Sequence, residues 1–313
     1  MSTDPEEIRD QVIAAREEYK HLVSIRKGLS GVVKPWSIKR DTYSTTKAEV
    51  IWVTHDRSVE ADTVKTVRLI RHAQSAANAG LATKAPDTIP LTDLGRLQAQ
   101  ALADSMTSVP DLIVASSFER ARDTAIPTAK RHPHVPFEIW DVEEFTYLSP
   151  ERFANTTQAD RKPMVDTYWD AGDQSLIDGP GAESFVELLE RAKRMLGQLA
   201  HSDATSILIF SHGQFIRAVT WFIQHGDEAG SPDLMKRFRE LDVGEPLLNC
   251  AGYEIVLKDG QWTVEYQLSQ DGVVKFIDQF CTDQSVGPIP LAPMTREVQD
   301  FIARSKSARG TPE

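Results

Sequence analysis

Four polar stretches of this chain each follow an apolar run, and together they hold the residue types of phosphoryl chemistry. Arg71-His72-Ala73-Gln74-Ser75 follows Val64–Ile70, and Ser211-His212-Gly213 follows Ser206–Phe210. Ser116-Ser117, just before Arg120, follows Asp111–Ala115, and Glu143-Glu144 follows Phe137–Val142. A neutral imidazole can attack a phosphoryl group and hold it as phosphohistidine while its other nitrogen keeps the proton. Two guanidiniums offer planar, bidentate bonds to phosphate oxygens and stabilise the charge in transfer. A second histidine adds a donor. A carboxylic acid protonates the leaving oxygen, then takes a proton from the attacking water. No step in this scheme calls for a metal or cofactor.

These residues act only if the fold gathers them. The four apolar runs are rich in Val, Ile and Leu, which marks buried strands. Apolar residues recur at helical spacing over 95–106, 184–200 and 213–224. Strands alternating with helices predict a three-layer α/β sandwich, a mostly parallel central sheet flanked by helices. In such sheets ligands bind beyond the carboxyl ends of the strands, where helix N-termini also favour anions. A final pair, Tyr253–Leu257 and Trp262–Leu268, flanks Lys258-Asp259-Gly260 and reads as a hairpin.

The flanks read differently. Asp4, Pro5, Glu6 and Glu7 suit a helix start, and Ile8, Val12, Ala15, Tyr19, Leu22 and Val23 keep helical spacing. Residues 1–62 therefore read as an N-terminal helical extension without a motif that assigns its role. The catalytic domain spans 63–270. Residues 271–313, with Pro288, Pro290 and Pro293, read as a tail. Within the domain, residues 145–180 hold Phe145, Tyr147, Phe153, Tyr168 and Trp169 among Arg152, Arg161 and Lys162, and read as a cap insertion over the site. Their aromatics could wall a substrate or simply pack the insertion.

A formal net charge of -11 argues against nucleic acid and anionic membrane as partners. An anionic substrate then needs its own basic pocket. Two cysteines, Cys250 and Cys281, make no disulfide framework. The acidic start is no secretory signal, and no apolar run approaches the roughly 18 residues of a bilayer span. These features predict a cytoplasmic protein.

Arg71-His72-Ala73-Gln74-Ser75-Ala76-Ala77-Asn78 resembles the signature of the histidine phosphatase superfamily, also called the phosphoglycerate mutase-like family, with Ala73 in place of its glycine. Leu91-Thr92-Asp93-Leu94-Gly95-Arg96-Leu97-Gln98-Ala99, Ser116–Ala125, Gly181-Ala182-Glu183-Ser184 and Ser211-His212-Gly213 resemble its later landmarks, in its order, over roughly 64–268. The resemblance implies a phosphoglycerate mutase-like fold and His72 as phosphoryl acceptor. Arg71, Arg120 and His212 would form the phosphate pocket, and Gln74, Ser75, Asn78 and Gly213 would contact substrate. Of Glu143 and Glu144, the family's Leu-x-Glu spacing favours Glu144 as the acid. The implied activity is that of a metal-independent phosphoric monoester hydrolase of the histidine acid phosphatase type, acting on a small phosphorylated substrate. Phosphoglycerate mutase-type transfer is the alternative, disfavoured because Glu144-Phe145-Thr146 lacks the glycine common in mutases. A catalytically idle binding module is the third reading. The oligomeric state stays open, a homodimer included.

Some residues invite the opposite conclusion. Arg131-His132 is also an Arg-His pair, but reads as surface in a Pro-containing loop. Neither it nor His134 has partners for a metal site. Arg122 should point away from Arg120 on a helix. Glu183 is either a first-turn dipole partner or a site residue. Cys250 should be buried rather than reactive.

Overall fold

The computed structural model describes residues 64–268 apart from Ala229. The expected extension over 1–62 and tail from 271 lie outside the described residues. The elements run β1 (Lys65–Arg71), α1 (Asp93–Ser105), β2 (Leu112–Ser116), α2 (Glu119–Arg131), β3 (Phe137–Trp140), α3 (Gln158–Ala171), α4 (Phe185–Ala200), β4 (Ser206–Ser211), α5 (Gly213–His225), α6 (Leu234–Gly244), β5 (Gly252–Lys258) and β6 (Gln261–Leu268).

The sheet has six strands in the order β3-β2-β4-β1-β5-β6. β1 through β4 pair in parallel, and β5 and β6 add antiparallel neighbours at one edge. Alternation along the central strands makes three layers. Val67, Leu69, Val114, Ile207 and Ile209 enter one apolar cluster with Leu188, Leu199 and Phe215 of α4 and α5. Ile70, Ile113, Ala115, Leu208 and Phe210 enter another with Leu102 of α1 and Ala125 of α2. Because side chains alternate faces with period two, each strand serves both cores. The predicted sandwich is the observed one.

Local chemistry sets the boundaries. Thr92 caps α1 by accepting from Gly95 N, and Ser184 forms a capping box with Glu187 at the start of α4. In the β5–β6 turn, Asp259 and Gly260 both have positive φ, as a two-residue primed turn requires. Gly252 has a packing reason: a Cβ there would lie 1.7 Å from Leu69 O.

Three helices lack a strong apolar rhythm, and tertiary packing decides them. α2 buries mainly Ala121, Thr124, Ala125, Thr128 and Ala129, small residues that carry little signal, and it contains Pro127. Arg131 ends this helix rather than sitting in a loop, and His132 caps it; the Arg131 side chain pairs with Asp104 at the surface. α3 contains Pro163 and buries only Tyr168 and Trp169, while α6 buries Leu234, Met235 and Phe238.

Candidate active site

Strand register brings the polar stretches level. Arg71 of β1 pairs with Ser211 of β4, and Ala115 of β2 pairs with Phe210 of β4. His72 N donates to Ser211 O at 2.9 Å, so the histidine leaves the sheet at the carboxyl end of its central strand. Ser211 Oγ donates to Val142 O at 2.6 Å and ties the exit of β3 to the same place.

His72 is buried, and its Nδ1 lies 2.7 Å from Ala73 O. A carbonyl can only accept, so Nδ1 carries the proton and Nε2 keeps its lone pair. Arg120 Nε donates to that lone pair at 3.1 Å. Burial, then Arg120 and Arg71, hold the His72 pKa well below the usual histidine value. The ring is therefore neutral at neutral pH, the form a nucleophile needs. Ala73 needs no left-handed backbone, which explains why alanine serves where the family has glycine. Asn249 Nδ2 donates to His72 O at 2.9 Å and to Asn78 Oδ1 at 3.2 Å, bracing the loop from before β5.

Donors surround this nitrogen. Arg71 donates through Nη1 to Leu247 O, while its buried Nε has no partner among the described residues. The His212 ring stands 5.2 Å from that of His72, centroid to centroid. Its Nε2 meets Ser116 Oγ at 2.9 Å, and its buried Nδ1 also lacks a partner. Buried donors are normally satisfied, so Arg71 Nε, left without an acceptor among the described residues, marks a place suited to an anion. Burial leads a depression of the His212 pKa well below the usual value, and it lowers Arg120 to about 10.

The adjacent glutamates separate. Glu144 Oε1 accepts from Gln214 N at 3.0 Å and Phe145 N at 3.1 Å. The first of these is a free N–H at the start of α5, where helix and carboxylate attract. Gly213 leaves room here: a Cβ on it would lie 3.7 Å from Arg71 Nε and 4.0 Å from Glu144 Oε2. Burial raises the Glu144 pKa, against the opposing pull of Arg120 and Arg71. Glu143 turns the other way and accepts from Ser117 N at 3.1 Å.

A cavity of about 180 Å³ lies alongside, and Arg120 and Glu144 are in its wall. Tyr147, Phe153 and Arg161 of the 145–180 segment also line it, whereas Tyr168 and Trp169 pack into the apolar core. The aromatics thus divide between the two expected roles. Arg152 and Lys162 pair with Asp178 and Asp166.

The remaining expected residues sit in the loop after β1. Gln74 Oε1 accepts from Thr92 Oγ1 at 2.7 Å, which ties that side chain to the start of α1. Ser75 N and Oγ donate to Asn78 Oδ1 at 3.1 and 3.0 Å. Gly95 lets α1 approach this loop, since a Cβ there would meet Gln74 O at 2.0 Å. Arg122 points away and donates to Ser117 O, and Cys250 is buried, with its thiol pushed up to about 12.

Glu183 has a bracing task. Arg191 donates to it through Nε at 2.9 Å and Nη2 at 2.6 Å, and also to Glu143 O at 3.2 Å. Arg191 thereby holds the backbone that presents Glu144, a link between positions 48 residues apart that spacing does not reveal. Arg191→Met should destabilise the fold by roughly 1–3 kcal/mol, because Glu183 loses its guanidinium partner and keeps only the bond from Thr146 N. The check is a lower denaturant midpoint at an unchanged slope.

A mostly parallel sheet thus gathers two histidines, two arginines and a carboxylate at the carboxyl ends of its parallel strands. The chain belongs to the histidine phosphatase superfamily (branch 1), whose family model matches residues 67–266. It is 26% identical over 215 residues to a metal-independent phosphoserine phosphatase of Arabidopsis thaliana, covering 67% of this chain and 83% of that one. It is 30% identical over 176 residues to a 5''-phosphoribostamycin phosphatase of Niallia circulans, covering 51% and 79%. The fold matches the crystal structure of a phosphoserine phosphatase from Entamoeba histolytica in complex with 3-phosphoglyceric acid. That match has a TM-score of 0.52 and 18% identity over 67% of this chain and 99% of that one. Among the described residues no helix is long and apolar enough to cross a membrane.

Proposed function

We propose that this protein hydrolyses a small phosphate monoester through a phosphohistidine on His72. The observation that carries the proposal is the state of that ring: Nδ1–H donates to Ala73 O, and the unprotonated Nε2 accepts from the Arg120 guanidinium. Substrate phosphate enters among Arg71, Arg120 and His212. Arg120 Nε turns from His72 to a phosphoryl oxygen, and Nε2 attacks phosphorus. The bond to the leaving oxygen breaks as Glu144 protonates it. Glu144, now ionised, takes a proton from water, which attacks the phosphohistidine and releases phosphate. The named relatives act as phosphatases on dissimilar substrates, which favours hydrolysis over return of the group to a second hydroxyl.

The test is hydrolysis of an aryl phosphate by the purified protein, followed by a screen of phosphorylated metabolites. Turnover should survive exhaustive chelation, because Arg71 and Arg120 already supply the positive charge. Loss of turnover on chelation, restored by a divalent ion, would overturn the metal-free mechanism.

A further inference from the structure

The cavity wall carries two cations besides the Arg120 assigned to the transferring phosphate. Lys84, Arg120 and Arg161 line it, against Glu144 as the only carboxylate in the lining among the described residues. This occurs in a chain of net charge -11. Arg120 serves the transferring phosphoryl group in the reaction proposed above, which leaves Lys84 and Arg161 unassigned.

A backbone bridge joins the two segments that carry these cations. Thr83 and Thr156 form an isolated β-bridge, with Thr83 N donating to Thr156 O at 3.1 Å and Asn155 N to Thr83 O at 2.7 Å. Lys84 directly follows Thr83. Arg161 Nη1 donates to Thr156 O at 3.0 Å and to Thr156 Oγ1 at 3.1 Å, so its guanidinium is anchored at the same bridge. Asn155 adopts φ 62° in this join, a left-handed conformation that asparagine tolerates better than most residues. Among the described residues neither cation has an ion pair within 4 Å, and Asp160 attracts Arg161 only from farther off. The nearby Asp160 carboxylate is taken up by Thr157 N and Oγ1. Phe153, Tyr147 and Ile89 supply apolar surface in the same cavity.

We infer that Lys84 and Arg161 form a second anion subsite, and that the substrate is a phosphomonoester whose organic body carries another anionic group, a carboxylate or a second phosphate. This rests on the phosphatase reading of the same site. A guanidinium anchored through one nitrogen keeps other N–H groups for an oxyanion, and an adjacent ammonium adds charge without fixed geometry.

The experiment compares kcat/KM for glycerol 3-phosphate, 3-phosphoglycerate and glycerol 1,3-bisphosphate, which share a small body and differ in the second anion. Wild-type protein should prefer at least one of the latter two over glycerol 3-phosphate by about 10-fold or more, the usual scale of a charge-assisted hydrogen bond. Which one is preferred identifies the anion. Lys84→Glu should shrink the preference at least tenfold by reversing the charge at an exposed position, and Arg161→Leu should shrink it independently. Absence of preference while aryl phosphate is still hydrolysed would overturn the subsite and leave the phosphatase reading standing. A preference untouched by either substitution would also overturn it. Absence of turnover on every phosphomonoester would remove the phosphatase reading and this inference together.

Discussion

His72→Ala should lose nearly all turnover while keeping the fold. Rapid quenching of the wild type with labelled substrate should trap phosphate that is acid-labile and base-stable, and the variant should trap none. The reason is local. The nucleophile needs an unprotonated nitrogen beside the guanidiniums, and His72 Nε2 has Arg120 at 3.1 Å. His212 Nε2 meets the Ser116 hydroxyl at 2.9 Å rather than a guanidinium. Loss of the imidazole also removes a buried side chain, so a small stability change is expected and is measured separately by thermal unfolding. Turnover near the wild-type level in the variant would sink the assignment.

Glu144→Gln should slow esters with poor leaving groups by roughly 10²–10⁴-fold. Activated aryl phosphates need less protonation and should suffer less, with a burst followed by slow turnover if water attack becomes limiting. Glu143→Gln should do little by comparison, because its carboxylate meets Ser117 N rather than the cavity. The pH profile follows from the two shifts. His72 stays neutral far below the usual histidine pKa, so the nucleophile survives acidification. Glu144 has a raised pKa and stays protonated to higher pH than an ordinary glutamate, and its acid step fades as pH rises through that value. The kcat/KM for poor leaving groups should therefore fall as pH rises through the raised Glu144 pKa. That fall should disappear in Glu144→Gln. A steep loss in Glu143→Gln with a mild one in Glu144→Gln would shift the acid by one residue.

Sequence was most informative where local pattern and chemistry coincide. A continuous apolar run such as Ile207–Phe210 is buried on both faces, so the polar residues that end it mark the sheet's carboxyl edge. The same logic located Arg71, His72, Ser211 and His212, because each follows directly on its strand. It was less informative for α2, whose buried face is built of alanine and threonine, and for α3, interrupted by Pro163. There, packing against the sheet outweighs intrinsic propensity.

By itself, then, the sequence determined the strands, the layered α/β class and the set of reactive side chains, since these depend on residue type and short-range period. Tertiary structure alone decided which groups face one another. The orientation of Glu143 against Glu144 depends on the N-termini of α2 and α5, reached through Ser117 N and Gln214 N. The bracing of His72 depends on Asn249, 177 positions away. The approach of the Lys84 segment to the start of α3 depends on a bridge between Thr83 and Thr156. Such contacts join residues distant along the chain, so neither helical nor strand period encodes them; they exist only once the sheet has fixed the loops in space.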